Sequence, residues 1–458
     1  MKITAFLFAT LAFASSAALA EPVTLLVDFE DDATAEDVRD SEREFGIDLE
    51  PTSIMYSATK LTSVLVDRTD VESLIDGLGG DWDVEGVEVS QTYTTMGGAD
   101  FKVPNDPEFA GKQKWQWEMI ELSRAWKYAT GKGVVVAVLD TVVSYGDTAG
   151  FPRVGDLKDT EILRGYSFIN DNKHPNDGHM HGTHCASTIA QSTNNALSGS
   201  GIAFEASILP VQVLSASGSG STEAISEGIR WATDNGAHVI SLSLGGGGYS
   251  EVMNSAVQHA VKRNVLVIAA AGNTPSESVH YPSAYDNVLA ISAVAPGGTI
   301  GTPDAGNAKI AKLASYASYG GAGGKKGIFL GAPGGDKKLY GEAGGIWQST
   351  IVEGDPTKWA LISANGSSMA TPAVSGVAAL VISELMQKNG GKYKASEVKK
   401  ILADSATKRD DKLHFGAGVL NAGAAAEMAA KKSYAAAYGV GVGGTLLGLL
   451  VLITRKKR

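Results

Sequence analysis

Cysteine is almost missing from this 458-residue chain, with Cys185 the single one. Without a second thiol no intramolecular disulfide can form, so stability must come from packing, with bound ions as an optional aid. The N-terminal segment lacks the paired arginines of a twin-arginine signal, which points to export as an unfolded chain. It has instead Lys2, an apolar body over 3–13 and the small-residue end Ala18-Leu19-Ala20, the three parts of a secretory signal peptide over residues 1–20. Basic residues are scarce over 21–96, with 4 Lys/Arg against 20 Asp/Glu, whereas 97–458 carries a net +4 within an overall charge of −11. The two stretches are complementary in sign, and no nucleic-acid partner is expected. Charge is absent again over 433–454, 22 residues that end against Arg455-Lys456-Lys457-Arg458. That length just spans a bilayer, although only 446–453 is strongly apolar, and the basic end would stay cytoplasmic with the preceding domain outside.

The acidic stretch is patterned like a folded domain. Apolar runs at 23–27, 61–66 and 84–89 predict strands, and 35–45 and 71–78 predict helices between them, which makes 21–96 a small α+β domain. A larger unit, 97–428, opens with Lys114-Trp115-Gln116-Trp117. Its continuous apolar runs at 134–140, 208–214, 239–244, 265–270 and 288–294 alternate with helical patterns that include 222–234 and 252–263. Runs apolar on both faces and joined through helices predict an α/β fold, a mostly parallel central sheet with helices on both faces. Catalytic groups gather at the carboxyl ends of such strands.

Three of these strands end usefully: one in Asp140, one in Gly272-Asn273, one in Leu244-Gly245-Gly246. Between the first two lies His179-Met180-His181-Gly182-Thr183-His184-Cys185-Ala186. This segment has two sharp readings. His179, His181 and His184 have the spacing of a zinc cluster, but Thr183 stands where the aspartate of His-x-His-x-Asp-His belongs. Alternatively His181 is a general base at a helix start. Downstream, Asn365-Gly366-Ser367-Ser368-Met369-Ala370-Thr371-Pro372 precedes the apolar run 374–385. A serine there is placed for nucleophilic work at a helix N-terminus, with Pro372 in the first turn, although a serine-rich cap is the plainer alternative.

Together the segments Val138-Leu139-Asp140-Thr141, His181-Gly182-Thr183-His184-Cys185-Ala186 and Gly366-Ser367-Ser368-Met369-Ala370-Thr371-Pro372 resemble the three blocks of the subtilase family of serine endopeptidases, near its subtilisin and proteinase K branches. Their order Asp, His, Ser is that of subtilisin. Pro104-Asn105-Asp106-Pro107, Gly131-Lys132-Gly133-Val134, Ala270-Ala271-Gly272-Asn273 and Tyr281-Pro282 extend the likeness across about residues 101–428.

The resemblance implies a triad of Asp140, His181 and Ser368, and an oxyanion hole made by the Asn273 amide and the Ser368 N–H. It implies polypeptide substrates held between Ser243-Leu244-Gly245 and Ala216-Ser217-Gly218, with His280 at the floor of the first specificity pocket. It implies no cofactor for the chemistry and a monomer. Asn194 and Asn195 fall in a loop that carries structural calcium in many members, with Asp147 as a partner, and turn chemistry explains them equally well. Residues 21–96 resemble the family's propeptide, an intramolecular inhibitor and folding assistant cleaved near Met96. Residues 429–458 read as a linker and a membrane or sorting tail whose Gly443-Gly444, apolar run and basic end resemble tails trimmed after export. The protein is thus expected in the periplasm or at the cell surface.

Four positions depart from the family pattern: Ser367 stands for threonine, Ala373 for histidine, Ser187 for glycine, and Val142 for the glycine after Asp-Thr. None removes a catalytic group. The alternatives are a surface-anchored binding protein that has lost catalysis and a zinc hydrolase.

Overall fold

The computed structural model describes residues 23–52, 60–81, 83–90, 103–146, 153–169, 178–320 and 327–437. The signal segment 1–20, Met96, Asp147 and the tail from 438 onward lie outside the described residues. The chain divides into two compact units, Met1–Met96 and Gly97–Arg458.

In the first unit, strands β1 (Val23–Phe29), β2 (Glu50–Pro51), β3 (Leu61–Val66) and β4 (Val84–Val89) form an antiparallel sheet in the order β2-β3-β1-β4. Helices Ala35–Phe45 and Val71–Leu78 complete the ferredoxin-like arrangement. The first helix opens on a capping box between Thr34 and Asp37 and closes at Gly46 with φ 66°. Val27, Phe29, Val38 and Leu78 make a small core.

The second unit is built on strands β5 (Val135–Asp140), β6 (Tyr166–Ser167), β7 (Ser207–Gln212), β8 (Val239–Leu242), β9 (Leu266–Ala270), β10 (Leu289–Ala295), β11 (Lys312–Leu313) and β12 (Leu330–Pro333). Their order is β11-β10-β9-β8-β5-β7-β6, with β12 also paired to β10. Every pairing is parallel except β10 with β11. The alternation explains the two-sided apolar runs: Val136 and Val138 enter one core with the long helix Ser367–Lys388, while Ala137 and Leu139 enter the other with helices Thr222–Asp234 and Glu251–Lys262. After β5 the chain runs out to β6 and β7 on one side, then crosses to β8 on the other. The sheet's switch point therefore lies at the carboxyl end of β5, where Asp140 is.

Three features differ from the sequence reading. A hairpin of β13 (Ile346–Val352) and β14 (Asp355–Ala364) precedes the long helix, with a register shift at Ile351/Val352 that breaks simple alternation. The long helix starts at Ser367, so Pro372 sits inside it and not in its first turn. Finally, helix Ala422–Ala437 runs through the expected 428/429 boundary, so 429–437 is not a linker. Alanine favours helix, and Ala422, Ala425, Ala426 and Ala429 bury one face at helical spacing. Among the described residues Ser367–Lys388 is long and apolar enough to cross a membrane, but 94% of its apolar stretch is buried, which makes it a core helix.

Candidate active site

Asp140 ends β5 and is fully buried, its Oδ1 accepting the Thr141 N–H at 2.7 Å. The turn that follows is stitched to the helix Met180–Ala190. Gly182 N–H donates to Thr141 Oγ1 at 3.0 Å, Thr141 Oγ1 donates to the His179 carbonyl at 3.2 Å, and Ser144 N–H donates to Thr183 Oγ1 at 2.9 Å. Helix and turn approach so closely that a Cβ on Gly182 would stand 2.0 Å from the Val142 carbonyl oxygen, so only glycine fits there. This approach brings His181 Nδ1 to 2.7 Å from Asp140 Oδ1. Val142 keeps a left-handed φ of 94°. That conformation costs a β-branched residue about 1–3 kcal/mol, and complete burial of its side chain returns about as much, so the departure from glycine is tolerated.

The three histidines do not converge. His179 Nδ1 caps its own helix by accepting the His181 N–H at 3.3 Å. His184 is buried and its Nε2 faces the carbonyls of Ile346 (3.1 Å) and Ile362 (3.2 Å), which require an N–H donor. Burial, then the neighbouring His181, lowers the His184 pKa to about 4, so it is neutral at physiological pH. With Ser187 Oγ donating to the Ser349 carbonyl at 2.6 Å, it ties the β13–β14 hairpin to the histidine helix. The zinc reading therefore fails on geometry. Asp140, His181 and Cys185 do place one ligand atom each within 4.8 Å of one another. Of these, however, Nδ1 and Oδ1 already bond each other, and the Cys185 thiol donates to the Ser368 carbonyl at 3.4 Å.

Ser368 is the second residue of helix Ser367–Lys388, where backbone N–H groups lack partners inside the helix. Its hydroxyl donates to the Ser243 carbonyl at 3.0 Å. Pro372 has no N–H to offer the Ser368 carbonyl four residues back, and that carbonyl accepts the Ser243 hydroxyl (2.8 Å) and the Cys185 thiol instead. The internal proline thus leaves the turn bearing Ser368 fastened to β8's extension and to the histidine helix.

Asn273 follows β9, and its Oδ1 accepts both the N–H and the Oγ–H of Ser367 at 2.9 Å. Two donors on one atom settle which end of the amide is oxygen and leave Nδ2 as a free-facing donor. Ser367 Oγ in turn accepts the Gly272 N–H at 3.3 Å. Nothing in the sequence alone singled out this link.

A cavity of about 650 Å³ holds His181, Ser368, Asn273, Ser243, Leu244, Gly245 and His280 together. Gly218 lines it, whereas Ala216 and Ser217 do not. Gly218, Ser219 and Gly220 form that part of the wall, next to a turn closed by the Ser215 N–H to the Ser219 carbonyl (2.8 Å). His280 stands against Gly272, where an added Cβ would meet its ring at 3.0 Å.

The Asn194–Asn195 loop is tightly wound, with left-handed φ at Asn194 (65°), Ala196 (61°) and Ser198 (33°). Two carboxylates the sequence reading did not assign converge on it. Asp106 accepts the N–H groups of Asn194 (2.6 Å) and Asn195 (3.1 Å), and Asp156 lies 2.9 Å from the Asn195 amide. Asp106 and Asp156 are 2% and 0% exposed, and among the described residues no cation pairs with either. Burial pushes the Asp156 carboxyl up to about 6, and the Asp106 charge adds to the rise. Calcium takes hard oxygens, and these two buried carboxylates supply them; Asp156 is meanwhile met by N–H donors from Asn195 Nδ2, Gln191 Nε2 (2.5 Å) and Gly199 (3.3 Å), while Asn195 Oδ1 accepts the Leu197 N–H at 2.9 Å.

The sequence matches the subtilase family (peptidase S8) over residues 131–420. It is 34% identical over 283 residues to thermitase of Thermoactinomyces vulgaris, covering 61% of this chain and 86% of thermitase. It is 37% identical over 296 residues to subtilisin Savinase of Lederbergia lenta, covering 65% and 91% respectively. Among solved structures, a protease from Pseudoalteromonas arctica superimposes with a TM-score of 0.58 at 29% identity, over 71% of this chain and 99% of that one. A lanthipeptide protease shares the fold, with a TM-score of 0.57 at 24% identity over 69% and 94%. The parallel sheet, the position of the serine on its helix and these matches place the chain in the subtilase family of serine endopeptidases.

Proposed function

We propose that this endopeptidase works through Asp140, His181 and Ser368, with Asn273 as the oxyanion donor, and that it is made as an exported zymogen. The observation that carries the reading is the 2.7 Å contact of His181 Nδ1 with a buried aspartate, in the same cavity as a helix-start serine. A carboxylate accepting from Nδ1–H fixes the imidazole tautomer with Nε2 unprotonated, the form a general base requires. With substrate present, the Ser368 hydroxyl leaves the Ser243 carbonyl, gives its proton to His181 and attacks the scissile carbonyl. The tetrahedral oxyanion is met by Asn273 Nδ2 and the Ser368 N–H. His181 then protonates the leaving amine, and a water hydrolyses the acyl-enzyme by the same steps in reverse. Asp140 Oδ2, buried without a hydrogen-bond donor, keeps negative charge available to the imidazolium. Labelling by a fluorophosphonate that vanishes in Ser368→Ala tests the assignment, and labelling that persists in that variant sinks it.

Residues 1–20 serve export and 21–96 serve as inhibitor and folding assistant. Their ferredoxin-like sheet and strong negative charge against a net-positive remainder support that division of labour. The uncharged stretch that ends at residue 454 and its basic end serve as a membrane or sorting tail, retained or trimmed after export.

Calcium would be held by the carboxylates of Asp106 and Asp156 beside Asn194 and Asn195, where it would neutralise two buried charges and brace the loop. The folded protein holds a proton on Asp156 between the ordinary carboxylate pKa and about 6 that the unfolded chain does not. Without the ion, stability is therefore present at low pH and falls as pH rises through that window. The ion requires the deprotonated form, so its benefit grows over the same interval. For Ser368→Ala, which cannot digest itself, calcium at a hundredfold excess over Kd should add about 2.7 kcal/mol at pH 8, seen as a higher Tm, and much less at pH 5. Equal melting with calcium and with chelator at pH 8 would exclude the ion.

A further inference from the structure

We propose that Lys338 selects a carboxylate on the leaving-group half of the substrate, an inference that rests on the proteolytic reading above. By resemblance, the Ser243–Gly245 strip in the larger cavity takes the acyl half. Past Asn273 a second, open cavity of about 470 Å³ is lined by Asn273, Pro275, Ser315, Tyr316, Lys338 and Asn365. Asn273 belongs to both cavities. A chain whose scissile carbonyl faces Asn273 from the first cavity therefore continues into the second.

The second lining contains a cation and no acid. The Tyr316 hydroxyl donates to the Gly334 and Gly335 carbonyls at 3.0 and 2.7 Å, so its ring serves as a wall. Asp336 is fully buried, and its oxygens accept the N–H groups of Ser315 (2.7 Å) and Leu339 (3.1 Å). Lys337 is occupied by Glu342 at 2.8 Å and by the Ser363 carbonyl at 3.2 Å. Lys338 is exposed and makes no ion pair among the described residues. A cation without its own counter-ion, grouped with the hydroxyl of Ser315, suits an anion just downstream of the scissile bond. That anion is either an acidic side chain or the terminal carboxylate of a short leaving peptide, and the two share one chemistry.

Two series of internally quenched peptides separate the sources. In the first, C-terminally amidated peptides differ only in carrying Glu, Gln or Lys two residues past the cleaved bond. In the second, the Gln peptide ends just after that residue as a free acid or an amide. An exposed ion pair predicts a preference of about two- to fivefold in kcat/KM for the carboxylate in the wild type, expressed in KM and reduced by salt. The preference should vanish in Lys338→Met and reverse toward Lys in Lys338→Glu. A preference confined to the second series assigns the carboxylate to the chain end. A wild-type ratio of one in both series, or a ratio that survives Lys338→Met, overturns the proposal. Failure of the wild type to cleave any peptide overturns the proteolytic reading itself.

Discussion

Ser368→Ala is expected to lower kcat by roughly a millionfold, the loss found when the serine of a subtilase triad is removed, and to leave the fold intact. Ser368 is only partly buried, its hydroxyl makes one bond, to the Ser243 carbonyl, and alanine is a better helix former than serine at this position. Activity should therefore disappear without a fall in Tm, which separates a chemical role from a structural one. The same variant should accumulate at the mass of the chain from residue 21 onward in a protease-deficient host, the outcome that self-removal of 21–96 requires. N-terminal sequencing and intact mass of wild type beside Ser368→Ala read the propeptide bond, the fate of the tail and the dependence of both on Ser368. Normal maturation of the variant would rule out self-processing while leaving the triad assignment to stand on the kinetics. A variant with measurable turnover of the same peptides would overturn the assignment of the nucleophile.

Much of this site could be read from residue order because each group sits at the end of an element whose pattern is strong. Asp140 closes a strand apolar on both faces, and helix Thr222–Asp234 starts and stops where its amphipathic pattern and the Ser221 cap place it. The same logic fails where contacts join distant segments without a local pattern. Asp106 and Asp156 lie 50 residues apart and look like ordinary turn acids until the loop at Asn194 brings them together. Ala216, Ser217 and Gly218 were expected to flank substrate, and of the three Gly218 lines the cavity, together with Ser219 and Gly220. Pro372 reads as a first-turn residue by propensity. Tertiary donors, Ser243 and Cys185, satisfy the carbonyl it strands and allow the helix to begin five residues earlier. At Asp106, Asp156 and Pro372 a hydrogen bond across the fold overrides a local rule.

Asn273→Ala should reduce kcat by about a hundred- to a thousandfold, or about 2.7–4 kcal/mol of transition-state stabilisation, with KM nearly unchanged. The ground-state carbonyl does not need the donor, whereas the oxyanion does, so a large rise in KM at constant kcat would contradict the role. Ser367 gives this prediction a second arm. Its N–H and hydroxyl both bond Asn273 Oδ1, and the hydroxyl also accepts the Gly272 N–H, so the amide is held from two sides by one residue. Ser367→Ala keeps the N–H and loses the hydroxyl with both its bonds, of which the one on the Asn273 amide corresponds to about a fivefold fall in kcat. Ser367→Thr restores the hydroxyl and should restore the rate. In the Asn273→Ala background Ser367→Ala should have little further effect, because the group it positions is gone. Additive losses in the double variant would mean that Ser367 acts on the reaction by another route and that the relay through Asn273 is wrong.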